Sequence, residues 1–236
     1  MTVVWDFGGV LFHWRPAALL ARVLPARVTD EDAAARWQAA FFQAYGGDWG
    51  EFDRGMIDAS SLVSRIAART GLQPAEVQAV VEAVPAELSP IDDSVALLAR
   101  LRGSGVRQCF LSNMPAPFAE HLERSHGFLR WFDQGIFSSR VHLLKPDPAI
   151  FALAAERFGV PAQELVFIDD HDANVAAARA AGWRGIRFSG AAACAADLER
   201  LGVCGADSEP SAERFAPPSP PLGGGLGGVV HSAQRI

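Results

Sequence analysis

From about residue 90 to residue 202, short β-branched or apolar runs alternate with Ala/Leu-rich stretches of helical character. That alternation commits the chain to βα units building a parallel sheet. The expected strands are Val3-Val4-Trp5 and residues 106–111, 135–137, 165–168 and 185–188, each of buried-strand length. The fold class is α/β.

Between residues 15 and 88 the character changes, because every periodic segment there is helical. Thr29-Asp30-Glu31-Asp32, Asp58-Ala59-Ser60 and Gln73-Pro74-Ala75-Glu76 each read as a helix start with a capping side chain or an acidic first turn. The sheet begins before this stretch and resumes after it. The insert is therefore expected over the carboxyl end of the first strand, where open α/β sheets bind ligands. The expected organisation is an α/β core of residues 1–14 and 89–204, a helical cap of residues 15–88, and a disordered Pro/Gly/Ser-rich tail of residues 205–236.

The chain has 236 residues, 50% of them hydrophobic, which is enough for a sizeable core. Its formal charge is -6 and it has no Lys/Arg-rich run, so nucleic acid is not an expected partner. Met1 leads directly into Val3-Val4-Trp5 without a signal-peptide pattern, and no apolar run reaches the length of a membrane span. Cys109, Cys194 and Cys204 show neither a zinc nor a disulfide spacing. A cytoplasmic protein with reduced thiols and no membrane partner is expected, and oligomeric state is left open.

Chemistry-bearing residues stand just after the expected strands. Asp6 follows the first strand and precedes Phe7-Gly8-Gly9-Val10-Leu11; alone, it reads equally well as a structural acid at a strand end. Ser112-Asn113 follows the second strand, Lys145-Pro146-Asp147-Pro148 opens a helix, and Asp169-Asp170 follows residues 165–168. A parallel sheet brings such positions to one edge. Lys145 could still be a solvated loop lysine, and Asp172 and Asn174 read better as helix-start residues bracing the acidic loop than as metal ligands. His13, His142 and His171 lie beside these motifs and read as structural or solvated. Trp37, Phe41 and Phe42, at helical spacing, read as core of the insert.

These segments resemble the four signature motifs of the haloacid dehalogenase superfamily, in the subgroup with a helical cap after the first strand: WDFGGVL, LSN, KPDPAIF and FIDDHDANVAAARAAGW. The resemblance implies a Rossmann-like core and a hydrolase, most often a phosphatase acting on a small phosphomonoester such as a sugar phosphate. In the matching positions Asp6 is the nucleophile that becomes an aspartyl-phosphate. Asp6, the Gly8 carbonyl, Asp169 and Asp170 hold Mg²⁺; Lys145 supplies a second positive charge; Ser112 and Asn113 contact the phosphate or orient the groups around it. The chemistry needs those cations, because a carboxylate approaching a phosphate meets about 4 kcal/mol of repulsion per charge pair at 4 Å and an effective dielectric near 20. Trp49-Gly50-Glu51-Phe52-Asp53-Arg54-Gly55 resembles a recurrent cap segment, in which Arg54 is either a substrate contact or a surface helix cap.

One position departs from the pattern. Most phosphatases of the superfamily have an acid-base aspartate where this chain has Gly8, a group worth about 10²–10⁴-fold in rate. The glycine points to substrates with good leaving groups, such as anomeric sugar or aryl phosphates, or to another base such as His13. A dehalogenase also lacks that aspartate, but its fourth motif usually lacks an acidic pair like Asp169-Asp170. A catalytically weak binding protein is the alternative from another class, and intact Asp6, Lys145, Asp169 and Asp170 argue against it.

Overall fold

The computed structural model describes residues 1–203. Cys204 and the expected tail of residues 205–236 lie outside the described residues. Five strands form one parallel sheet: β1 (Thr2–Trp5), β2 (Arg107–Ser112), β3 (Gln134–Phe137), β4 (Leu165–Asp169) and β5 (Arg184–Arg187), in the order β3-β2-β1-β4-β5. All five expected strands are present. β1 lies at the centre, with Trp5 level with Phe110 of β2 and Ile168 of β4. Asp6 therefore leaves the sheet in line with Leu111-Ser112 on one side and Asp169 on the other. Register alone gathers three of the four motifs.

The order reverses at β1, since the chain moves outward through β2 and β3 on one side and β4 and β5 on the other. Such a switch point opens a crevice at the carboxyl ends of the strands. β1 and β4 are buried along their whole length, as apolar strands covered on both faces should be.

Five α-helices occupy the stretch after β1: α1 (Pro16–Val23), α2 (Glu31–Phe42), α3 (Gly47–Asp53), α4 (Ala59–Thr70) and α5 (Pro74–Glu87). Their starts follow the local chemistry. Asp30 accepts a hydrogen bond from the Ala33 N–H at 2.7 Å, Asp58 accepts from Ser61 N–H at 2.8 Å, and Glu76 reaches back to the Gln73 N–H at 2.8 Å. Phe41 and Phe42 are buried core, as expected, whereas Trp37 is half-buried and donates its indole N–H to the Arg27 carbonyl.

Helices α6 (Asp92–Gly103), α7 (Ala116–Ser125), α8 (Pro148–Phe158), α9 (Asp172–Ala180) and α10 (Ala191–Arg200) complete the order. The insert is tied to the sheet at the end of α3. The Ser138 hydroxyl, just after β3, donates to the Asp53 carbonyl and accepts from the Met114 N–H. Gly55, at φ +73°, lets the chain approach so closely that a Cβ there would lie 2.7 Å from the Ser139 carbonyl oxygen.

Cys109 and Cys194 are buried free thiols, pushed up to about 11 and about 12 by burial, so both stay neutral. No helix among the described residues is long and apolar enough to cross a membrane.

Candidate active site

Above the carboxyl ends of β1, β2 and β4 lies a cavity of about 420 Å³, lined by Asp6, Gly8, Ser112, Asn113, Lys145 and Asp170 from the sheet side and by Asp53 and Arg54 from the insert. Of the residues the sequence nominated for substrate contact or catalysis, Asp6, Arg54, Ser112, Asn113 and Lys145 face this one space. Asp169 lies beneath it, fully buried, with its carboxylate 2.7 Å from the Lys145 ammonium.

Lys145 is the hub. Its Nζ lies 2.8 Å from Asp6 Oδ1 and 2.7 Å from Asp169 Oδ2, and its side chain is 1% exposed. The reading of Lys145 as a solvated loop lysine is excluded. Asn113 holds the Lys145 backbone from both sides: its amide N–H donates to the Lys145 carbonyl and its amide oxygen accepts from the Lys145 N–H, each at 2.9 Å. The Asn113 amide thus positions the lysine, a part that its adjacency to Ser112 gives no hint of.

Asp169 is braced in turn. Asn174 donates to both of its oxygens at 3.0 Å and the His171 N–H donates to Oδ1 at 2.7 Å. Asn174 therefore has the bracing part expected of it, while Asp172 points outward to Arg187. The Ser112 hydroxyl is buried and has no hydrogen-bond partner among the described residues. A buried donor left without a protein partner at that position is suited to a ligand oxygen.

Carboxylate oxygens of Asp6, Asp169 and Asp170 lie within 4.8 Å of one another. One ammonium pairs with two of the three. Burial pushes Asp6 up to about 8, Lys145 opposes that rise, and the neighbouring charges of Asp169 and Asp170 add to it. Burial also works against the charged form of Asp169, but Lys145, the His171 N–H and Asn174 outweigh it and hold that carboxyl below the usual range. Lys145 stays charged because the two carboxylates outweigh its desolvation.

The surplus of acid fits a hard cation with oxygen ligands. The backbone hydrogen bonds of the turn after β1 go to the Phe7 and Phe12 carbonyls, so that of Gly8 is open. Asp170 also has no hydrogen-bond partner among the described residues, and Asp6 has only Oδ1 engaged. With Mg²⁺ at about 100 times its dissociation constant, stability is expected to rise by about 2.7 kcal/mol. For a chain of this size that is a thermal shift of about 5–10 °C. Asp170→Asn should lose most of it, and melting curves that superimpose with and without Mg²⁺ would show that these donors do not hold the ion.

The two adjacent glycines do different work. Gly9 sits at φ +74°, and a Cβ there would lie 2.3 Å from Asp170 Oδ2. Gly8 has no left-handed φ, and the nearest atom to a Cβ there would be in Trp14, at 3.6 Å, an ordinary contact. Gly9→Ala is expected to cost about 1–2 kcal/mol from the left-handed backbone alone and to displace Asp170. Gly8→Ala should stay within about 0.5 kcal/mol of the parent. Equal melting temperatures for the two variants would contradict that assignment.

His13 does not line the cavity; it lies beyond the Phe7–Phe12 turn with its backbone N–H on the Ser89 carbonyl. His142 stands outside as well, with Nδ1 on the Arg54 carbonyl at 3.0 Å. His171 does line the cavity, its ring edge-on to Tyr45 at 5.5 Å. Arg54 faces the cavity with its guanidinium 3.6 Å from Glu51 and a buried, unpartnered Nε. Asp53 was not nominated by the sequence. It is 5% exposed, and burial lifts its carboxyl well above the usual range, Lys145 opposing and Asp6 adding.

A parallel sheet with acid residues gathered at the switch point, a buried lysine among them and a helical insert above defines a hydrolase of the α/β class. The model of the haloacid dehalogenase-like hydrolase family matches residues 1–182, and the chain belongs to that family. Among curated proteins it is similar to a sesquiterpene phosphatase of Aspergillus oryzae, 29% identical over 202 residues that span 85% of this chain and 96% of that one. Among solved structures, a family enzyme of Bacteroides thetaiotaomicron in complex with magnesium and inorganic phosphate superimposes with a TM-score of 0.60 at 19% identity, covering 78% of this chain and 92% of that one. An L-2-haloacid dehalogenase of Xanthobacter autotrophicus gives 0.60 at 22% identity, over 86% and 84% of the two chains. Both structures share the fold.

Proposed function

We propose that the protein is a Mg²⁺-dependent phosphatase that hydrolyses a small phosphomonoester through an aspartyl-phosphate on Asp6. The observation that carries this reading is the acidic trio of Asp6, Asp169 and Asp170, with a single buried lysine among them. Displacing halide from a haloacid needs no metal ion, so it gives no use for a third carboxylate, Asp170, beside Asp6 and Asp169. The similarity to a sesquiterpene phosphatase over most of both chains supports the same reading.

In this reading residues 15–88 are the cap, and Asp6, Asp169, Asp170 and the Gly8 carbonyl hold Mg²⁺, which neutralises phosphate charge when bound. Lys145 offsets the charge of Asp6 and of the phosphoryl oxygens on the other side. Ser112 donates its free hydroxyl to one of those oxygens. Arg54 and Asn113 complete the phosphate end, Arg54 as a cation from the cap and Asn113 by fixing Lys145.

Asp6 attacks phosphorus, the P–O bond to the substrate breaks, and the ester oxygen leaves with the bonding pair and takes a proton. We assign that proton to Asp53, because it lines the same cavity from the insert and burial lifts its carboxyl well above the usual range. Water then attacks phosphorus and returns a proton to Asp53, the bond to Asp6 breaks with its pair returning to the carboxylate, and inorganic phosphate leaves.

A panel of phosphomonoesters assayed with Mg²⁺ and with chelator tests the reading. Phosphate release that stops with chelator is expected. Halide release from a 2-haloacid, unaffected by chelator, would establish the dehalogenase instead.

A further inference from the structure

Resting on that phosphatase reading, we propose that the substrate is the phosphate ester of an apolar alcohol, with a hydrocarbon body seated against Trp14, Tyr45, Trp49, Leu88, Met114 and Phe118. The cavity is divided by chemistry. Its charged residues Asp6, Asp53, Arg54, Lys145 and Asp170 gather at the carboxyl edge of the sheet and the end of α3, with Asp147, His171 and Asn174 beside them in the chain, whereas Trp14, the insert and the start of α7 supply an aromatic and aliphatic wall.

Two of the polar tips in that wall meet each other. The Trp14 indole N–H donates to the Tyr45 hydroxyl at 2.9 Å, which leaves the rings to face the cavity. Trp14 stacks on Trp49 with centroids 6.3 Å apart and planes 28° from parallel, and Phe52 joins that group to Phe118 by edge-on contacts. The rings brace one another from both sides of the cavity. A sugar body placed there would find few partners for its several hydroxyls, chiefly the Tyr45 O–H and the Trp49 indole N–H, and each hydroxyl left over would lose its hydrogen bonds to water. A hydrocarbon body loses nothing and leaves water.

Gly8 belongs to the same device. The nearest atoms to a Cβ at that position are Cβ, Cγ and Cδ1 of Trp14. A longer side chain at position 8 would have to share its space with the indole that walls the cavity. The glycine that removes an acid from the turn thereby admits an aromatic wall.

The volume of about 420 Å³ is within the usual range of pockets for small organic ligands. Burial of each methylene is worth about fourfold in binding, so a chain-length series reads the wall directly. Alkyl phosphates from methyl to decyl, beside glycerol phosphate and a hexose phosphate, are offered to the full chain with Mg²⁺. The matching alkylphosphonates, which cannot be hydrolysed, are titrated by calorimetry.

The expected result is a kcat/KM that climbs about fourfold per methylene until the cavity is filled, with phosphonate affinity climbing in parallel. In Trp14→Ala both slopes become shallower. Hydrolysis that is flat with length, or that favours the polar esters, overturns this inference and leaves the phosphatase reading standing. If no ester is hydrolysed but phosphonate affinity still rises with length, the phosphatase reading falls and the apolar ligand class stands. Affinity that is independent of length, with no hydrolysis, overturns both.

Discussion

Asp6→Asn is expected to lower phosphate release by on the order of 10⁴–10⁶-fold, the scale seen when a nucleophile that works as part of a unit is removed. The fold should survive the change. Burial opposes the Asp6 carboxylate more than Lys145 favours it, so a neutral amide of the same size relieves desolvation and the repulsion of Asp169 and Asp170, while Lys145 keeps Asp169 as its partner. The place of Asp6 in the structure is set by the backbone, since the Asp6 N–H donates to the Ile168 carbonyl at 2.9 Å whatever the side chain. The combination to measure is an unchanged or higher melting temperature with activity at the background of the uncatalysed reaction. A variant that keeps even a tenth of the parent rate would remove Asp6 from the chemistry.

Lys145→Ala should behave differently, losing stability and activity together. The parent places one ammonium between two carboxylates that have almost no access to water. Breaking a buried pair by removing one partner costs about 3–5 kcal/mol, because the charge left behind is uncompensated. Here two are left behind. For a chain of this size the loss is about 10 °C or more in melting temperature, and the rate should fall by on the order of 10²–10³-fold with the phosphoryl-stabilising cation gone. Mg²⁺ should restore part of the stability, since it supplies positive charge to the same acids, but not the rate. Lys145→Ala melting with the parent would contradict the buried-hub geometry.

The sheet was legible in the sequence for a simple reason. In β1 and β4 both faces are covered, so Val3-Val4-Trp5 and Leu165-Val166-Phe167-Ile168 appear as unbroken apolar runs, which no surface strand would tolerate. The helix starts in the insert were equally local, because Asp30, Asp58 and Glu76 act on backbone groups within three residues of themselves. Asp6, Ser112 and Asp169 could be nominated because parallel register alone carries strand ends to one edge.

Relations that depend on chain segments far apart were not legible. Nothing near Asp53 separates it from an exposed acid at a helix end. Its burial comes from the docking of α3 on the segment after β3, where Ser138 binds its carbonyl and Gly55 permits close approach. The Trp14–Tyr45 pair joins residues 31 positions apart, and the hold of Asn113 on Lys145 spans 32. His13 was nominated by adjacency alone, and the turn at Phe7–Phe12 takes it out of the cavity. The adjacent glycines of Gly8-Gly9 are alike as letters. Only their backbone angles and neighbours show that Gly9 answers to Asp170 and Gly8 to Trp14.

The central claim is that Asp6 carries the phosphoryl group during turnover, and quenching the reaction in acid addresses it most directly. The full chain is mixed with Mg²⁺ and a hydrolysed ester, stopped within one turnover, digested, and the peptide containing Asp6 is weighed by mass spectrometry. The account predicts one added phosphoryl group on Asp6, absent when chelator replaces Mg²⁺. Steady phosphate release with no phosphoryl group on Asp6, or with one on another residue, would contradict it.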